Sequence, residues 1–384
     1  MEATATTDLA SLRAQFPITA HSIYMDHAAV CPISKKVRAA MHSQTAMQCN
    51  DITSAGGAFE QCYREARSAI ARLVGSRADR VTFIQNTSHG LSLIANGQAW
   101  QPGDNLVVPA MEFPSNFLPW LRFESKGVEI RRLHVPDGRV TPESLRPLVD
   151  DRIRVVALSA VQYYNGYRPD LAAISEIAES RDALLVVDGT QATGAIGIEV
   201  SAFGIDALVV SAHKWMLGPL GIGFMALSDR LLDRTEVTQV GWLSVDEPFE
   251  FRRELDLLPG ADRFEPGTEN SVGLFGLRER LTEIEQYGAL RIEERILDLT
   301  ELMAQGLDSR GFSITSPRAA GERSGILTFR HEGLDPEPVV ETLKQERVFL
   351  SARHGSFRAS PHYYNSEEEV EAVITEIGGM VDRT

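Results

Sequence analysis

A lysine and an aspartate, each placed where a strand should end, set the chemistry open to this sequence. Lys214 stands in Ser211-Ala212-His213-Lys214-Trp215. It follows an apolar run at 206–210 that reads as a short buried strand and precedes a glycine-rich stretch, 217–223, that reads as a tight turn. A lysine at the mouth of a sheet is partly desolvated, gives up its proton more readily and can attack a carbonyl; the plainer alternative is a surface lysine beside a turn. Asp188 closes the apolar run 183–187. A carboxylate at that point is costly unless it meets a cation, or it caps the turn that follows. Gly189 allows close backbone approach, and Gln191 adds a neutral donor and acceptor. An amine nucleophile paired with a buried carboxylate suits pyridoxal 5'-phosphate. That cofactor needs a lysine for its Schiff base and a carboxylate to keep its pyridine nitrogen protonated.

A phosphate has to be held as well. Asn86-Thr87-Ser88-His89-Gly90 falls between a strand and a helix, so Thr87 and Ser88 bring hydroxyls and free N–H groups to a helix N-terminus, where an ordinary N-cap would use the same residues. Ser211 and His213 add a hydroxyl and an imidazole from the lysine strand.

The elements that must position these groups alternate. Helical periods at 59–74, 88–100, 115–125 and 169–180 interleave with strand-like runs at 80–84, 105–109, 128–134, 153–160, 183–187, 206–210 and 224–227. Such alternation implies an α/β fold with a mainly parallel sheet, whose ligands sit beyond the carboxyl ends of the strands. After about residue 253 the rhythm changes to long helices at 271–287 and 290–307, strands at 325–330 and 348–352, and helices at 336–347 and 366–381. The expected division is a large domain at 20–255 and a smaller α+β domain at 256–384, with residues 1–19 packing near the small one. The proline-bearing loop 241–267 is the expected seam and a candidate for mobility.

Composition narrows the partners. The chain has 384 residues, 43% of them hydrophobic, and 38 basic against 53 acidic side chains give a net charge of −15. That balance argues against nucleic acid or an anionic membrane, while leaving room for a small anionic substrate. No apolar run approaches the roughly 18–20 residues of a membrane span, and the first residues lack a secretion signal's pattern, so a cytoplasmic protein is expected. Three cysteines, Cys31, Cys49 and Cys62, support neither a disulfide framework nor a metal site.

The segments Asp-Gly-Thr-Gln (188–191), Ser-Ala-His-Lys-Trp (211–215), Gly-Pro-Leu-Gly-Ile-Gly-Phe (218–224) and Arg-Phe-Glu-Pro-Gly-Thr-Glu-Asn (263–270) together resemble the class V aminotransferase group of fold-type-I pyridoxal phosphate enzymes. That group includes cysteine desulfurases, kynureninases and isopenicillin N epimerase-like proteins. The resemblance runs from Tyr24-Met25-Asp26-His27 to Tyr363-Tyr364-Asn365. It implies Lys214 as Schiff-base lysine and general base, and Asp188 on the pyridine nitrogen. It implies Gln191 on the ring's phenolic oxygen, with Gln162 or Tyr163 as a second partner, and Thr87, Ser88, Ser211 and His213 on the phosphate. It further implies Thr268 reaching the other subunit's phosphate in a homodimer with shared active sites, Phe113 stacked on the ring, and Arg358 binding the substrate's α-carboxylate. Phe113 departs from the desulfurases and aminotransferases that place a histidine there. Desulfurases also carry a nucleophilic cysteine just before the arginine strand, where this chain reads Ser351-Ala352-Arg353-His354-Gly355-Ser356-Phe357.

The resemblance thus implies an enzyme acting on an amino acid or amine. Amino-group transfer is placed first, carbon–sulfur or other β-elimination next, with epimerisation also open. A non-catalytic binding protein that keeps the fold is the alternative of a different class, and intact Lys214, Asp188 and Arg358 weigh against it. A nucleotide-binding protein is disfavoured because no Walker-type or Gly-x-Gly-x-x-Gly loop opens a helix here.

Overall fold

The computed structural model describes residues 8–381. Seven strands form the central sheet: β1 (Val81–Ile84), β2 (Asn105–Pro109), β3 (Glu129–Leu133), β4 (Ile153–Ser159), β5 (Leu184–Asp188), β6 (Ala207–Ser211) and β7 (Gly223–Leu227). Their order is β1-β7-β6-β5-β4-β2-β3. All neighbouring pairs are parallel except those of β7, which runs antiparallel to both β1 and β6. The short, apolar, β-branched runs that marked strands in the sequence are buried on both faces, as a sheet covered by helices requires. β1 and β4 to β6 therefore end on one edge, which gathers Ile84, Ser159, Asp188 and Ser211.

Close packing fixes the helix that follows β1. In Thr87–Gly97, a Cβ on Gly90 would lie 2.6 Å from Val209 Cγ1 and 2.8 Å from Ile84 Cδ1. Only glycine lets the first turn of that helix sit so close to the sheet, and Asn86 caps it by accepting a hydrogen bond from His89 N at 3.0 Å. The expected helix over 115–125 is instead three short turns, Pro114–Asn116, Leu118–Leu121 and Glu124–Lys126. Two prolines remove N–H donors there, and Gly127 stops the last turn at φ 81°.

A second sheet of four strands joins Ser351–Arg353, Ser356–Ala359, Leu327–Arg330 and Ser313–Ile314 in that order. The expected strand 348–352 is split: Val348–Phe349 pairs with Ile23–Tyr24, and Ser351–Arg353 enters the four-stranded sheet. Met25, Leu299, Phe329, Phe357 and Val373 form a core of their own on this side. The helix Ser271–Tyr287, by contrast, shares one core with the central sheet through Leu274, Leu277, Leu281 and Ile284. A boundary at 255/256 would cut that core, and we propose that the division runs along the helix Ala289–Asp308. Near the N-terminus, Phe16 stacks on Tyr364 at 4.1 Å and Arg13 pairs with Glu369 at 2.8 Å. Residues 1–7 of the expected N-terminal segment lie outside the described residues. Among the described residues no helix is long and apolar enough to cross a membrane, and no cluster of three His, Cys, Asp or Glu side chains could hold a metal ion.

Candidate active site

Asp188 ends β5 in register with Ser159 of β4 and Val209 of β6, and is 5% exposed. Its Oδ1 accepts the Thr190 N–H at 2.9 Å. Burial raises the carboxyl's pKa, against the Thr190 hydrogen bonds and the Lys214 charge. Among the described residues no cation forms an ion pair with it. Lys214 lies three residues past the end of β6. Its amine makes no hydrogen bond among the described residues, and Nζ lies 5.0 Å from the centre of the Phe113 ring. Burial lowers the pKa of the amine, Asp188 opposes that, and the Arg358 charge adds to it. A lysine so placed supplies a neutral nucleophile more readily than one in water.

Five hydroxyls gather in two groups, one of which reaches this pair through Thr190. Thr87 N donates to Ser211 Oγ at 2.8 Å, Thr87 Oγ1 lies 2.8 Å from Ser211 Oγ and 2.6 Å from Thr190 Oγ1, and Ser88 Oγ donates to Ser115 Oγ at 2.7 Å. His213 is half-buried next to Lys214, and burial, then the lysine's charge, lowers its pKa. Hydroxyls at a helix N-terminus, an amine whose pKa burial lowers, a buried carboxylate short of a cation and an aromatic face form the donor set that pyridoxal phosphate requires. The residues fit that group.

Other expected contacts are distributed differently. Gln191 Oε1 accepts from Trp215 Nε1 at 2.8 Å and its Nε2 donates to Ala28 O at 3.0 Å, leaving one amide proton to offer a phenolic oxygen. Gln162 is buried and donates to Glu112 Oε1 at 2.6 Å, whereas Tyr163 turns to the rim, its hydroxyl 3.2 Å from His354 Nε2. Thr268 is exposed and separate from the cluster, on the edge of a cavity of about 490 Å³ that Tyr63, Trp242 and Phe249 also line.

Arg358 is 2% exposed, yet each of its nitrogens has a partner: Nε donates to Ser351 Oγ at 3.2 Å, and the two terminal nitrogens donate to Tyr163 O at 2.9 Å and Asp26 Oδ1 at 3.2 Å. The fork is therefore fixed in direction, with one proton on each terminal nitrogen still uncommitted. Phe113 is 38% exposed and meets Tyr163 edge-on at 5.3 Å.

Sequence reasoning missed the anchor of Phe113. Glu112 accepts Ser159 N at 2.8 Å, Ser159 Oγ at 2.6 Å and Gln162 Nε2 at 2.6 Å, tying the Phe113 segment to the end of β4. Burial pushes the Glu112 carboxyl up to about 7; the hydrogen bonds oppose this and the Asp188 charge adds to it. An acidic residue directly before an exposed aromatic was the available signal. Thr190, inside the quoted Asp-Gly-Thr-Gln, was also passed over. Cys31 gave no signal at all: the fold brings its N–H to His213 O at 2.9 Å. Its thiol bonds to His27 O at 3.3 Å, and burial holds its pKa well above the usual range, so it is a protonated thiol.

The strands Ser351–Arg353 and Ser356–Ala359 are joined by His354 and Gly355 alone, at φ 50° and 71°. Two left-handed residues make the tightest common hairpin, with no loop to carry another side chain toward the site.

The sequence model of the family Aminotransferase class-V matches residues 23–373. The probable cysteine desulfurase of Methanothermobacter thermautotrophicus is 30% identical, over 96% of this chain and 98% of that protein. The cysteine desulfurase of Klebsiella pneumoniae is 29% identical, over 96% and 97%. Among solved structures, the apo cysteine desulfurase of Thermococcus onnurineus superposes with a TM-score of 0.90 at 26% identity, covering 100% of both chains. The cystine C–S lyase C-DES, solved with its product cysteine persulfide, superposes with a TM-score of 0.89 at 22% identity over 95% of this chain and 99% of that one, a likeness of fold.

Proposed function

Because this chain belongs to the class V aminotransferase family of pyridoxal phosphate enzymes, we propose that it is a carbon–sulfur lyase, eliminating the β-sulfur of a cysteine-type amino acid without passing it to a protein thiol. One observation carries the reading. Relatives along nearly the whole chain are named cysteine desulfurases, while the hairpin before Arg358 is a two-residue turn with no cysteine. Cys31, the thiol near Lys214, is buried and protonated. Lyase chemistry thereby moves ahead of amino-group transfer, which the sequence alone placed first.

When bound, the cofactor draws electrons from the substrate's α-carbon through its protonated ring. Asp188 would keep the ring nitrogen protonated and gain there the cation that its burial lacks. Thr87, Ser88, Thr190, Ser211 and His213 would hold the phosphate, and Phe113, held in place through Glu112, would face the ring. Arg358 receives the α-carboxylate on its two uncommitted protons. That sets the α-hydrogen toward Lys214, whose lowered pKa suits a base that takes the proton and returns it. In the same reading the protein is a homodimer, with exposed Trp242 and Phe249 beside Thr268 facing the second copy. Light scattering on the eluting protein at twice the chain's 42.3 kDa would agree, and a monomer would remove that part.

The test is turnover of S-substituted cysteines with and without a keto-acid acceptor. Pyruvate and ammonia formed without an acceptor support the lyase; keto acid formed only when an acceptor is supplied makes the protein a transferase.

A further inference from the structure

One contact at the rim is left over by this chemistry. Tyr163 Oη and His354 Nε2 lie 3.2 Å apart, joining the segment after β4 to the tip of the hairpin. Both rings also meet Tyr164, at 5.6 Å for Tyr163 and 5.8 Å for His354, which fixes their planes. Tyr163 touches the site twice. Its ring meets Phe113 edge-on at 5.3 Å, on a phenyl ring that lies 5.0 Å from Lys214 Nζ, and its carbonyl accepts Arg358 at 2.9 Å. A substrate whose carboxylate is on Arg358 and whose α-hydrogen faces Lys214 would extend its β-substituent toward the rim, where this hydroxyl stands. His354 is exposed and held at φ 50° by the tight turn, so its ring reaches both solvent and the phenol.

We propose that Tyr163 donates the proton that the departing sulfur takes up, with His354 as the positioning residue that restores it, an assignment resting on the lyase reading above. Lys214 removes the α-proton, and the electron pair of that C–H bond becomes the second, π bond between Cα and Cβ. The Cβ–S pair leaves with sulfur, and the phenol's hydrogen completes the thiol. His354 Nε2–H returns a proton to the phenol oxygen, and solvent at the turn resupplies the imidazole. Water then releases pyruvate and ammonia, so the balance is substrate and water in, thiol, pyruvate and ammonia out. Burial and then the Glu112 charge raise the phenol's pKa, against the charges of Arg353 and Arg358, so the hydroxyl stays protonated at neutral pH and parts with its proton only to a basic leaving group. An acid matters most where the leaving group is poor, since a sulfur that departs readily as an anion needs no proton.

The experiment compares holoenzyme with Tyr163→Phe and His354→Gln on two substrates, S-methylcysteine and S-(4-nitrophenyl)cysteine. Tyr163→Phe keeps the ring and its packing, and should slow elimination of methanethiol about 100-fold while costing far less with the nitrophenyl thiolate. His354→Gln should give the same pattern at about tenfold. α-Proton exchange in D2O, followed by NMR, should fall much less than methanethiol release. Equal losses on both substrates, or exchange falling in step with elimination, would make the pair structural and overturn the assignment. A wild-type enzyme that exchanges the α-proton but eliminates neither thiol would instead remove the lyase reading itself.

Discussion

Beneath Lys214 the side chains are held by one another; across from it they are held by turns. Asp188, Thr190, Ser211 and Thr87 come from the ends of two adjacent strands, the turn after one of them and the start of a close-packed helix, and are linked by contacts of 2.6–2.9 Å with almost no exposure. Phe113, Tyr163 and His354 are partly exposed and stand on a proline-bounded segment, a post-strand loop and a two-residue hairpin turn. Even Arg358, fully buried, takes its direction from Ser351, Asp26 and the carbonyl of Tyr163 in the post-strand loop rather than from a strand of the central sheet. The floor is thus fixed by the register of the sheet, which any chain with this sheet must keep. The rim is set by short connections that change without disturbing the core. In the proposed reading, cofactor chemistry belongs to the floor, and choice of substrate and of bond to the rim.

Substitutions can break or sharpen that contrast. The largest effect should come from Lys214→Ala, which should lower α-proton exchange and turnover by about 10⁴-fold; retained exchange would mean that another base serves the floor. Asp188→Ala should lower turnover by about 10³-fold, and the bound cofactor's absorption spectrum should change with it, because the ring nitrogen loses its partner. Arg358→Lys keeps a charge but loses the fork. KM for substrates with an α-carboxylate should rise about a hundredfold, with a smaller change in kcat. Unchanged kinetics would place the carboxylate elsewhere. Phe113→Ala should weaken cofactor affinity by at most about tenfold, measured by fluorescence titration of the apo protein, since offset stacking contributes only modestly.

The smallest effect concerns Glu112. Its carboxyl has an ordinary pKa of 4.5 in the unfolded chain and about 7 when folded. The folded state therefore holds the proton more tightly, and this group's contribution to stability falls as pH rises from about 4.5, with its full loss reached above about 7. Glu269, also pushed up by burial to about 7, acts in the same direction. Buried His27 and His362 push the other way, because burial lowers their pKa values and the unfolded chain binds their protons. The test is therefore the difference in melting temperature between the apo wild type and Glu112→Gln, which should move against the wild type as pH rises from about 4.5 to about 7; a difference that does not change with pH would show that Glu112 is not buried as described.

The same contrast governs what the amino-acid sequence made legible. The strands under the floor are continuous apolar runs ended by a polar residue, so Asp188, Ser211 and Lys214 could be placed from spacing alone, and their neighbours followed from the order of elements. The rim has no such period. Whether 115–125 is one helix or three turns depends on two prolines, and the split of 348–352 between two sheets depends on which partner strand each half meets. Cys31 was invisible because nothing local requires it, and Glu112 offered only its place before Phe113. A carboxylate anchored by the end of the neighbouring strand, and a thiol brought beside His213 from the N-terminal segment, exist only once the chain has folded. Gln191 was legible as a site residue, but its bonds to Trp215 and Ala28 were not.

Turnover of cysteine itself tests the central claim most directly, with products counted and the protein's mass measured afterwards. A rim without a nucleophilic thiol should yield pyruvate, ammonia and sulfide in equal amounts, with no sulfur added to the protein. Alanine as the product, with a persulfide on Cys31 or another cysteine, would contradict the account.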